Sequence, residues 1–530
     1  MPILLLELEL VKNAVKYSKP DFILYNFSEK PDFVIPKYRI AIFCNAGAVG
    51  AKTNGNNEWN LLHFHDDEIK NDIVGCVNKI KATIRDAHFL VKKNRRFTFV
   101  DLFAGIGGFR AALDNLGGKC LGFSEIDNEA TENYKLNFVD NNIDPERELG
   151  DITKLNKLPF QNIDLIVGGV PCQSWSVAGK MRGFDDPRGK LWGDALRIVK
   201  QNQPKAFIFE NVKGLIDPRN SENLNLIVRS FRGAGYKVGE PALLNSYDFG
   251  LPQNRDRVFI VGFREGINPK SFSYPRPMKK KSMLAEILDV TFPVSTETEK
   301  KKFDLTDLHG DKVPKSRNRF QKEDELNDFF IFCDTRNGHT TIHSWDIVQT
   351  SKREKTICMT ILRNRRKKIF GTQDGNPIPF ASLKKLLPDL MLSEIEKLID
   401  KGILRHISSN GYAFVNSKNS AGINGIYRIY LPHSNIFSTL TATGTKDMVA
   451  LGAIQCNDPK KYKEIFLNEI FSKDLFRSIT SREAGKLQGF PYWFAVHQKE
   501  ATAKKQFGNA VSVPVVQALG EIVVVAMNGV

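Results

Sequence analysis

One cysteine of this chain has neighbours that suit nucleophilic chemistry. Cys172 follows an apolar, strand-like run at 163–167, two glycines and Pro171. A cysteine at the end of a strand can reach a substrate, and its thiolate is a strong nucleophile. The alternative is an inert buried thiol, which is the usual state of a lone cysteine. Cys172 is therefore a candidate nucleophile that needs support from other residues.

A carboxylate and two arginines follow on later strands. Glu210 comes directly after the apolar run 206–209, where burial would raise the pKa of its carboxyl towards that of a proton donor. Arg255 and Arg257 alternate in a strand-like segment, which places both side chains on one face. Each residue alone has a structural explanation. Their common order along one predicted sheet favours a reaction site.

A glycine-rich turn and two acids indicate a cofactor with a sugar. The strand-like segment 97–103 leads into a turn with Gly105 and Gly107, which lets the backbone approach a ligand closely. Glu125 and Asp151 follow two further segments and suit ribose hydroxyls and an exocyclic amine, or alternatively they cap helices. The spacing G-x-G-x-x-G is absent, which disfavours a nicotinamide dehydrogenase.

The elements that must position these residues alternate between two patterns. Short apolar runs and helical patterns follow one another from about 97 to 262, and the candidate residues stand where the apolar runs end. Such alternation predicts an α/β fold with a parallel sheet. The pattern breaks after 262, so a different kind of domain is expected to follow.

The composition favours a soluble protein with a polyanionic partner. The 530 residues include 76 Lys and Arg against 60 Asp and Glu, a formal net charge of +16. Nucleic acid would explain this excess, and a solvated surface is the alternative. Seven scattered cysteines without a CxxC pair indicate a reducing cytoplasm rather than disulfides or a structural zinc. We expect no membrane span and no signal peptide, because long apolar runs and a basic leader are absent.

The region 266–475 is more basic and less regular than the region before it. Within it, Ser393 is a predicted helix N-cap and Gly402 a helix stop, after a first short helix that starts near Pro379. Extended segments are predicted at 404–407 and 412–415. Two helices followed by a hairpin indicate a winged helix, and an α+β insertion that reads no groove is the alternative.

The ordered motifs resemble those of the cytosine-C5 DNA methyltransferases, notably the bacterial modification enzymes of restriction systems. Matches cover roughly 97–264 and 477–517. The matching segments, in family order, are 101–110, 171–173, 210–212, 253–257, 482–491 and 506–511. The resemblance implies a Rossmann-like sheet typical of S-adenosylmethionine-dependent methyltransferases, with a smaller α+β target-recognition domain.

The resemblance also implies residue roles. Cys172 would add to C6 of a cytosine flipped out of duplex DNA, and Glu210 would bind ring N3 and the exocyclic amine. Arg257, with Arg255 beside it, would hold the base carbonyl oxygen. No metal is needed. The expected contacts with the cofactor S-adenosylmethionine are Phe103, Gly105, Gly107, Glu125, Ile126, Asp151, Ile152 and Asn509.

Target recognition is expected in the region 266–475. Thr439 and Leu440 would lie near the target base, and the segment 176–189 would be a mobile loop that closes over the DNA. The basic run 363–368 would contact phosphates, or it is only a solvated face. The expected DNA-binding residues are Gln173, Ser176, Thr439, Leu440, Arg363, Arg365 and Arg366.

We predict four parts along the chain. They are an N-terminal extension of unknown role (1–95), a catalytic and cofactor-binding domain (96–265), a target-recognition domain (266–475) and late motifs that return to the catalytic domain (476–530). The protein is expected to be monomeric, cytoplasmic and nucleoid-associated. Its expected partners are double-stranded DNA and, functionally, a cognate restriction endonuclease.

Two other functions stay open. Some relatives with this motif set modify tRNA, so a cytosine-C5 methyltransferase acting on RNA is the main alternative, although the long middle region and basic charge favour DNA. A catalytically idle DNA-binding regulator is disfavoured by the presence of Cys172, Glu210 and both arginines. A metal site at 63–67 is disfavoured because no third ligand is evident beside His65 and Asp66.

Overall fold

The structure is a computed structural model, and it divides the chain into two compact units. The first contains residues of 1–282, 438–444 and 480–530, and the second contains residues of 283–437 and 445–479. The first unit thus includes 266–282 and 438–444, which lie in the predicted target-recognition region. The described residues are 2–12, 31–35, 40–44, 60–93, 96–138, 147–155, 157–171, 191–267, 272–278, 282–289, 329–332, 340–373, 375–407, 411–415, 423, 425–456, 458–491 and 494–528.

The N-terminal segment has its own small sheet and helices. Strand β2 is central, antiparallel to β1 and parallel to β3. Apolar side chains of the strands and helices, from Leu6 to Ile84, form one buried cluster. The elements are α1 (Pro2–Lys12), β1 (Phe33–Ile35), β2 (Ile40–Phe43), β3 (Asn60–His63), α2 (Asp66–Asn71) and α3 (Ile73–Lys93).

A larger sheet carries the predicted catalytic residues. Its strands run in the order β10-β11-β8-β7-β4-β5-β6, and β9 pairs with β11. Strands β4 to β8 are mutually parallel, while β11 is antiparallel to its neighbours. The strands are β4 (Phe97–Leu102), β5 (Gly118–Ser124), β6 (Arg147–Glu148), β7 (Leu165–Gly169), β8 (Ala206–Val212), β9 (Tyr236–Val238), β10 (Ala242–Asn245) and β11 (Asp256–Arg264).

The sheet is buried on both faces, which explains the continuous apolar runs in its sequence. Strand β8 has six buried residues in succession before Val212. The helices between these strands are α4 (Gly108–Asn115), α5 (Asn128–Phe138), α6 (Leu191–Asn202) and α7 (Ser221–Gly233), and short 3₁₀ helices span Ile152–Lys154, Lys213–Ile216, Pro218–Asn220 and Ser246–Phe249.

The direction of the chain through the sheet reverses between β4 and β7. The chain passes outward from β4 to β5 and β6, then returns to β7 beside β4 and continues to β8. A doubly wound sheet binds its ligands at the carboxyl ends of the strands at such a reversal. This fold confirms the predicted Rossmann-like α/β class and places the turn after β4 beside the residues after β7.

The second unit contains another sheet, with strand order β13-β12-β16-β17-β18. Aromatic side chains pack its core, and the rings of Phe330 and Phe466 stack with centroids 3.7 Å apart. The unit also has a 3₁₀ helix at Leu284–Glu286. The strands of this part are β12 (Phe329–Phe332), β13 (Thr341–Ile342), β16 (Arg428–Tyr430), β17 (Met448–Ala450) and β18 (Phe476–Arg477). Helix α12 (Pro459–Ile465) follows β17 and continues as a π-helix over Phe466–Phe471.

The remaining part of the second unit has the order and pairing of a winged helix. A helix is followed by a bridge from Ile378 to Tyr412, then by two helices and the hairpin β14–β15. The predicted sequence of helix, helix and hairpin is therefore present. Its elements are α8 (Ser344–Ile347), α9 (Lys352–Asn364), α10 (Phe380–Leu386), α11 (Leu392–Asp400), β14 (Leu404–Ile407) and β15 (Gly411–Phe414), with a 3₁₀ helix at Lys368–Phe370.

The end of α11 agrees with the prediction, but its start does not. Gly402 follows the helix with φ of 67°, as expected for a glycine stop. Ser393 is not the N-cap, because the helix already starts at Leu392. The N-cap is instead Met391, two residues before Ser393, and its amide donates a hydrogen bond of 2.9 Å to the Glu394 carboxylate.

Arg365 does not fit the predicted phosphate contact. It is only 2% exposed, and its guanidinium lies over the Phe414 ring at 5.5 Å from the centroid. Arg363, two residues earlier, is exposed at the end of α9, and Arg366 is half-buried. The basic run therefore contains one buried arginine, Arg365, and cations that reach the surface, such as Arg363. Helical geometry explains the difference, because it turns successive side chains to different faces.

The C-terminal helices belong to the first unit. They are α13 (Ser481–Leu487), α14 (Glu500–Asn509) and α15 (Val513–Met527). In the described part of the chain, Glu500–Met527 is the only stretch long and apolar enough to cross a membrane, and its most apolar window has mean hydropathy 2.0. That window is 67% buried, and Gly520 of α15 packs against Leu113 of α4. Core packing explains this apolar composition.

The two arginines at 363 and 365 should differ in their effect on stability. We expect Arg365→Gln to lower the free energy of unfolding by roughly 1–3 kcal/mol, because the buried side chain loses its place on Phe414. Arg363→Gln is the matched control and should change it by less than about 0.5 kcal/mol. Urea unfolding of the full chain measures both, and an equal effect of the two substitutions would contradict the assignment.

Candidate active site

The turn after β4 adopts a backbone suited to close approach by a ligand. Gly105 and Gly107 have φ of 55° and 87°, and Phe103 has φ of 53° although it is not a glycine. A side chain at Gly107 would overlap the Phe138 ring, whereas the position of a Cβ on Gly105 faces open space. Unusual backbone angles of non-glycine residues concentrate at functional sites, so Phe103 supports a ligand-binding role for this turn.

Glu125 connects the turn to the end of β5. One carboxylate oxygen accepts a hydrogen bond of 2.8 Å from the Gly105 amide. The other accepts bonds of 2.8 and 2.9 Å from the amides of Ile126 and Asp127. A carboxylate has about four acceptor positions, so a ligand hydroxyl can still bind. Ile126 is 74% exposed next to this carboxylate, an unusual position for a large apolar side chain that a planar ligand would cover.

Asp151 stands at the next strand end. Its carboxylate accepts hydrogen bonds from the Thr153 amide (2.9 Å) and hydroxyl (2.8 Å), and these bonds lower its pKa below the ordinary value. The group is therefore an ionised acceptor at neutral pH. Ile152 differs, because its side chain is buried in the hydrophobic core and only its backbone is left for a ligand.

Glu210 lies beside the strand end that leads to Cys172. It pairs in register with Gly169 of β7, and a Cβ on that glycine would lie 3.5 Å from the Glu210 carboxylate. The next residue, Asn211, is buried and donates a hydrogen bond of 3.2 Å to the Val170 carbonyl. Strand β8 thus holds both the acid and the backbone two residues before the cysteine.

Glu210 forms a buried ion pair with Arg257. The Nε atom of Arg257 is 2.9 Å from a carboxylate oxygen of Glu210, whose residue is 8% exposed. Burial raises the pKa of Glu210 above its ordinary value, and the charges of Arg257 and Arg255 offset part of this rise. A carboxyl in this state can donate a proton or a hydrogen bond to a ring nitrogen.

Arg255 has a different set of contacts from Arg257. It is 1% exposed, and its guanidinium donates to the carbonyls of Leu440 (2.8 Å), Gly508 (3.1 Å) and Ala510 (2.8 Å). The predicted contact with a base carbonyl oxygen would need N–H donors of this guanidinium. In the structure, Arg255 directs those donors at main-chain oxygens of the protein. The geometry assigns to Arg255 the role of holding two distant segments against β11.

Residues 438–444 are fixed on the strand end through main-chain and side-chain bonds. The Thr439 hydroxyl donates to the Asn254 carbonyl. The Leu440 amide donates 3.2 Å to the side chain of buried Gln253, which itself donates 2.7 Å to the Leu487 carbonyl. Leu440 is buried, so its side chain packs inside the protein in this structure. The structure therefore brings Thr439 and Leu440 beside Arg255.

The C-terminal segment closes the same edge of the sheet. Val511 lies against the positions where Gly108 and Gly169 would carry a Cβ, so it sits between the turn after β4 and the end of β7. Helix α14 docks on α5 through a bond of 3.0 Å from Gln506 to the Glu129 carbonyl. Asn509 is exposed at the end of this helix, two residues before Val511.

Several predicted residues are brought together at this edge. The turn at Phe103 to Gly107, the acid Glu125, the pair of Glu210 and Arg257, and Asn509 all lie on segments that meet there. Three predicted site residues, Cys172, Gln173 and Ser176, lie outside the described part of the chain, and so does the predicted loop 176–189. The carbonyl of Val170, held by Asn211, is the described group nearest in sequence to them.

Comparison with known proteins identifies the family. The family model "C-5 cytosine-specific DNA methylase" matches residues 97–524. The chain belongs to this family. The Type II methyltransferase M.HgiBI of Herpetosiphon aurantiacus is 45% identical over 427 residues, which are 81% of this chain and 96% of that protein. M.HgiCII of the same organism is 46% identical over the same shares. M.HpaII of Haemophilus parainfluenzae is 31% identical over 80% of this chain and 88% of its own length.

This methylase therefore acts on cytosine C5 in DNA, with S-adenosylmethionine as the methyl donor. The described edge fits that cofactor, since it offers two carboxylates at neighbouring strand ends, the exposed Ile126 and an open glycine turn. Residues 1–96 lie outside the matched range.

Three supporting residues of the methylase were not selected as site residues from the sequence. Asn211 fixes the strand end before Cys172, Gln253 fixes residues 438–444, and Val511 fills the space between two strand ends. The sequence could have indicated the roles of Asn211 and Gln253, because polar amides inside buried apolar segments need hydrogen-bond partners. The position of Val511 depends on a contact with residues about 340 to 400 positions earlier, which no local pattern reveals.

Arg255 should be needed for stability as well as for activity. We expect Arg255→Met to lower the free energy of unfolding by about 3 kcal/mol, because three buried carbonyls lose their donors. Backbone amides in 438–444 should also exchange hydrogen faster. Urea unfolding and hydrogen exchange measure these effects, with exposed Arg229→Met on α7 as the control. Loss of methylation with unchanged stability and exchange would show that Arg255 acts on the base instead.

Proposed function

We propose that this methylase flips a cytosine of a specific duplex sequence into the edge of its sheet and attacks it with Cys172. The observation that carries the proposal is the buried pair of Glu210 and Arg257 next to the strand end that leads to Cys172. A buried acid at this position costs desolvation free energy, and proton donation to a substrate explains why it is there.

The proposed reaction starts with the cysteine. The thiolate of Cys172 forms a bond to C6 of the cytosine, and the electrons of the C5–C6 double bond move into the ring. Glu210 donates a proton or hydrogen bond at N3 and accepts from the exocyclic amine, which stabilises the charge that develops as the thiolate adds. The ring thereby becomes an enamine with a nucleophilic C5.

Arg257 orients the acid and completes the contact with the base. One of its nitrogens binds Glu210 at 2.9 Å and another donates 2.8 Å to the Asp256 carbonyl, which fixes the plane of the guanidinium. Its remaining donors suit the base carbonyl oxygen. Once C5 is methylated, loss of the C5 proton and breakage of the Cys172–C6 bond release 5-methylcytosine.

S-adenosylmethionine supplies an electrophilic methyl group on a sulfonium sulfur. We assign its ribose hydroxyls to Glu125, its adenine amine to Asp151, and a contact on the adenine face to Ile126. The backbone of Phe103 to Gly107 and the exposed Asn509 complete this set, while Ile152 contributes through its backbone alone.

The proposal also covers how the enzyme recognises its target sequence and what methylation does in the cell. The second unit, 283–437 with 445–479, is proposed to read the duplex, with Arg363 on a phosphate. Thr439 and Leu440, which belong to the first unit, are proposed to lie near the target base. Because the relatives are Type II methyltransferases, we propose that methylation protects host DNA in the cytoplasm, at the nucleoid, from a cognate endonuclease. We propose that the enzyme acts as a monomer, because one chain contains every assigned group.

Methylation of plasmid DNA tests the function directly. Bisulfite sequencing of plasmid incubated with the protein and S-adenosylmethionine should show 5-methylcytosine within one defined sequence. A parallel incubation with tRNA should show none. Methylation of tRNA without methylation of plasmid would overturn the choice of substrate.

Cys172→Ser should abolish turnover on this plasmid but leave cofactor binding unchanged. The serine hydroxyl is a much weaker nucleophile than a thiolate at neutral pH. Cys456→Ser is the matched control and should keep full activity, since Cys456 lies in the second unit, in a loop after β17. Methylation rates and calorimetric binding of S-adenosylmethionine measure both properties. Undiminished turnover of Cys172→Ser would refute the assignment.

The pH dependence of methylation should report the protonation of Glu210. Burial raises its pKa above the ordinary value of 4.5, so the protonated form is lost as the pH rises through the raised value. The rate of the wild type should therefore fall on the alkaline side of that value. Glu210→Gln should lower kcat by roughly 10²–10⁴-fold and remove this limb, because an amide does not titrate.

Glu222→Gln, at an exposed position of α7, is the control for the pH profile and should behave like the wild type. Rates under single-turnover conditions between pH 5 and 9 allow the slow variant to be measured. An alkaline limb that persists in Glu210→Gln would assign the titration to another group.

A further inference from the structure

The winged helix of the second unit does not present a basic recognition helix. In helix-turn-helix proteins the second helix of the motif enters the major groove. Here that position is held by α11, which exposes Glu396 and Asp400 together with Lys397. Two carboxylates against one amine are a poor match for a groove lined by phosphates. The contact of this unit with DNA must therefore use another surface.

The last turn of α9 and the turn that follows it have the opposite charge. Arg363, Arg366, Lys367 and Lys368 lie within six residues, and the sequence contains no acid between Glu354 and Asp374. Arg363, Lys367 and Lys368 are exposed. A dense set of cations on one turn suits neighbouring phosphates of a duplex.

The same turn is fixed from within. The buried Arg365 anchors its start over Phe414, and both the backbone and side-chain amides of Asn376 donate to the Arg365 carbonyl at 2.9 and 3.0 Å. The Asn376 side chain also bonds both backbone groups of Gln373. A side chain at Gly371 would overlap Asn376, so the backbone passes close to this amide. The segment is thus a preorganised turn rather than an open loop.

One large apolar residue stands at the exposed side of this turn. Ile369 is 82% exposed, the highest value among the exposed large apolar residues in the described part of the chain. Its neighbour Phe370 packs against the core of the winged helix, so the 3₁₀ helix Lys368–Phe370 turns one side chain inward and the other outward. Ordering an exposed isoleucine directly after two lysines gains nothing for folding, which indicates a partner.

We propose that Ile369 makes an apolar contact with a base edge in the major groove, while Lys367 and Lys368 hold the flanking phosphates. This inference rests on the proposed function of the second unit in target recognition. The methyl group of thymine is the apolar group that unmodified base pairs present in the major groove, so a thymine in or next to the recognition sequence is the expected contact. Ile369 would then be a specificity-determining residue.

Replacement of thymine by uracil removes only that methyl group and gives a direct test. Duplexes carrying the sequence found by bisulfite sequencing are substituted one thymine at a time, and kcat/KM is measured for the wild type and Ile369→Ala. At one position uracil should lower kcat/KM of the wild type roughly tenfold, as expected for a lost apolar contact. Ile369→Ala should lose the same factor on the thymine duplex and no more on the uracil duplex.

Two controls separate base contact from other effects. Lys367→Gln with Lys368→Gln should weaken binding on all duplexes and reduce its salt dependence, because phosphate contacts do not depend on sequence. Ile369→Ala should leave the salt dependence unchanged. Val74→Ala, at a 60% exposed apolar position of α3, should change neither property. Thermal unfolding of each variant verifies the fold.

Each outcome decides the proposal. Equal kcat/KM of the wild type and Ile369→Ala on every duplex, or a loss that is the same with thymine and uracil at every position, would overturn it. A change in oligomeric state with unaltered methylation would show that Ile369 contacts protein instead, which also overturns it. Absence of methylation by the wild type on any duplex would overturn the proposed function itself.

Discussion

The buried guanidinium of Arg255 is the interaction on which the reacting edge of this protein depends. It joins the start of β11 to the Leu440 carbonyl, 185 residues later, and to the Gly508 carbonyl, 253 residues later. Carbonyls buried without donors are costly, so loss of the arginine would weaken the attachment of both segments to the start of β11. The buried guanidinium thus holds together, through its hydrogen bonds, segments that are far apart in sequence.

Arg257, two residues later in β11, has a different role from Arg255, which precedes the strand. Arg257 binds the carboxylate of Glu210, and the burial of that pair keeps water from screening the interaction. The raised pKa of Glu210 follows from the same burial, because desolvation outweighs the attraction of both cations. One cluster of side chains thus serves both the structure and the chemistry of this edge. Arg255 holds distant segments together, and Arg257 binds the carboxylate of Glu210.

Local patterns predicted the sheet, the glycine turn and the acids at strand ends, because these features depend on residues that are close in sequence. Apolar runs marked β4, β7 and β8, Glu125 followed the segment that forms β5, and Glu210 followed the apolar run 206–209 of β8. The contacts of Arg255 could not be predicted in this way, since its partners come from distant segments. The burial of Arg365 beside the exposed Arg363 was missed because charge alone does not show which face of a helix a side chain occupies. The start of α11 was misplaced because Glu394 caps it from within.

The central claim is that Cys172 attacks a cytosine next to the pair of Glu210 and Arg257. Peptide mapping by mass spectrometry tests it on the wild type, after incubation with S-adenosylmethionine and a duplex that carries 5-fluorocytosine at the target position. The fluorine at C5 blocks the release of the enzyme, so the covalent adduct should be found on the peptide that contains Cys172 and on no other cysteine peptide. An adduct on another cysteine, or active methylation without any adduct, would contradict the account.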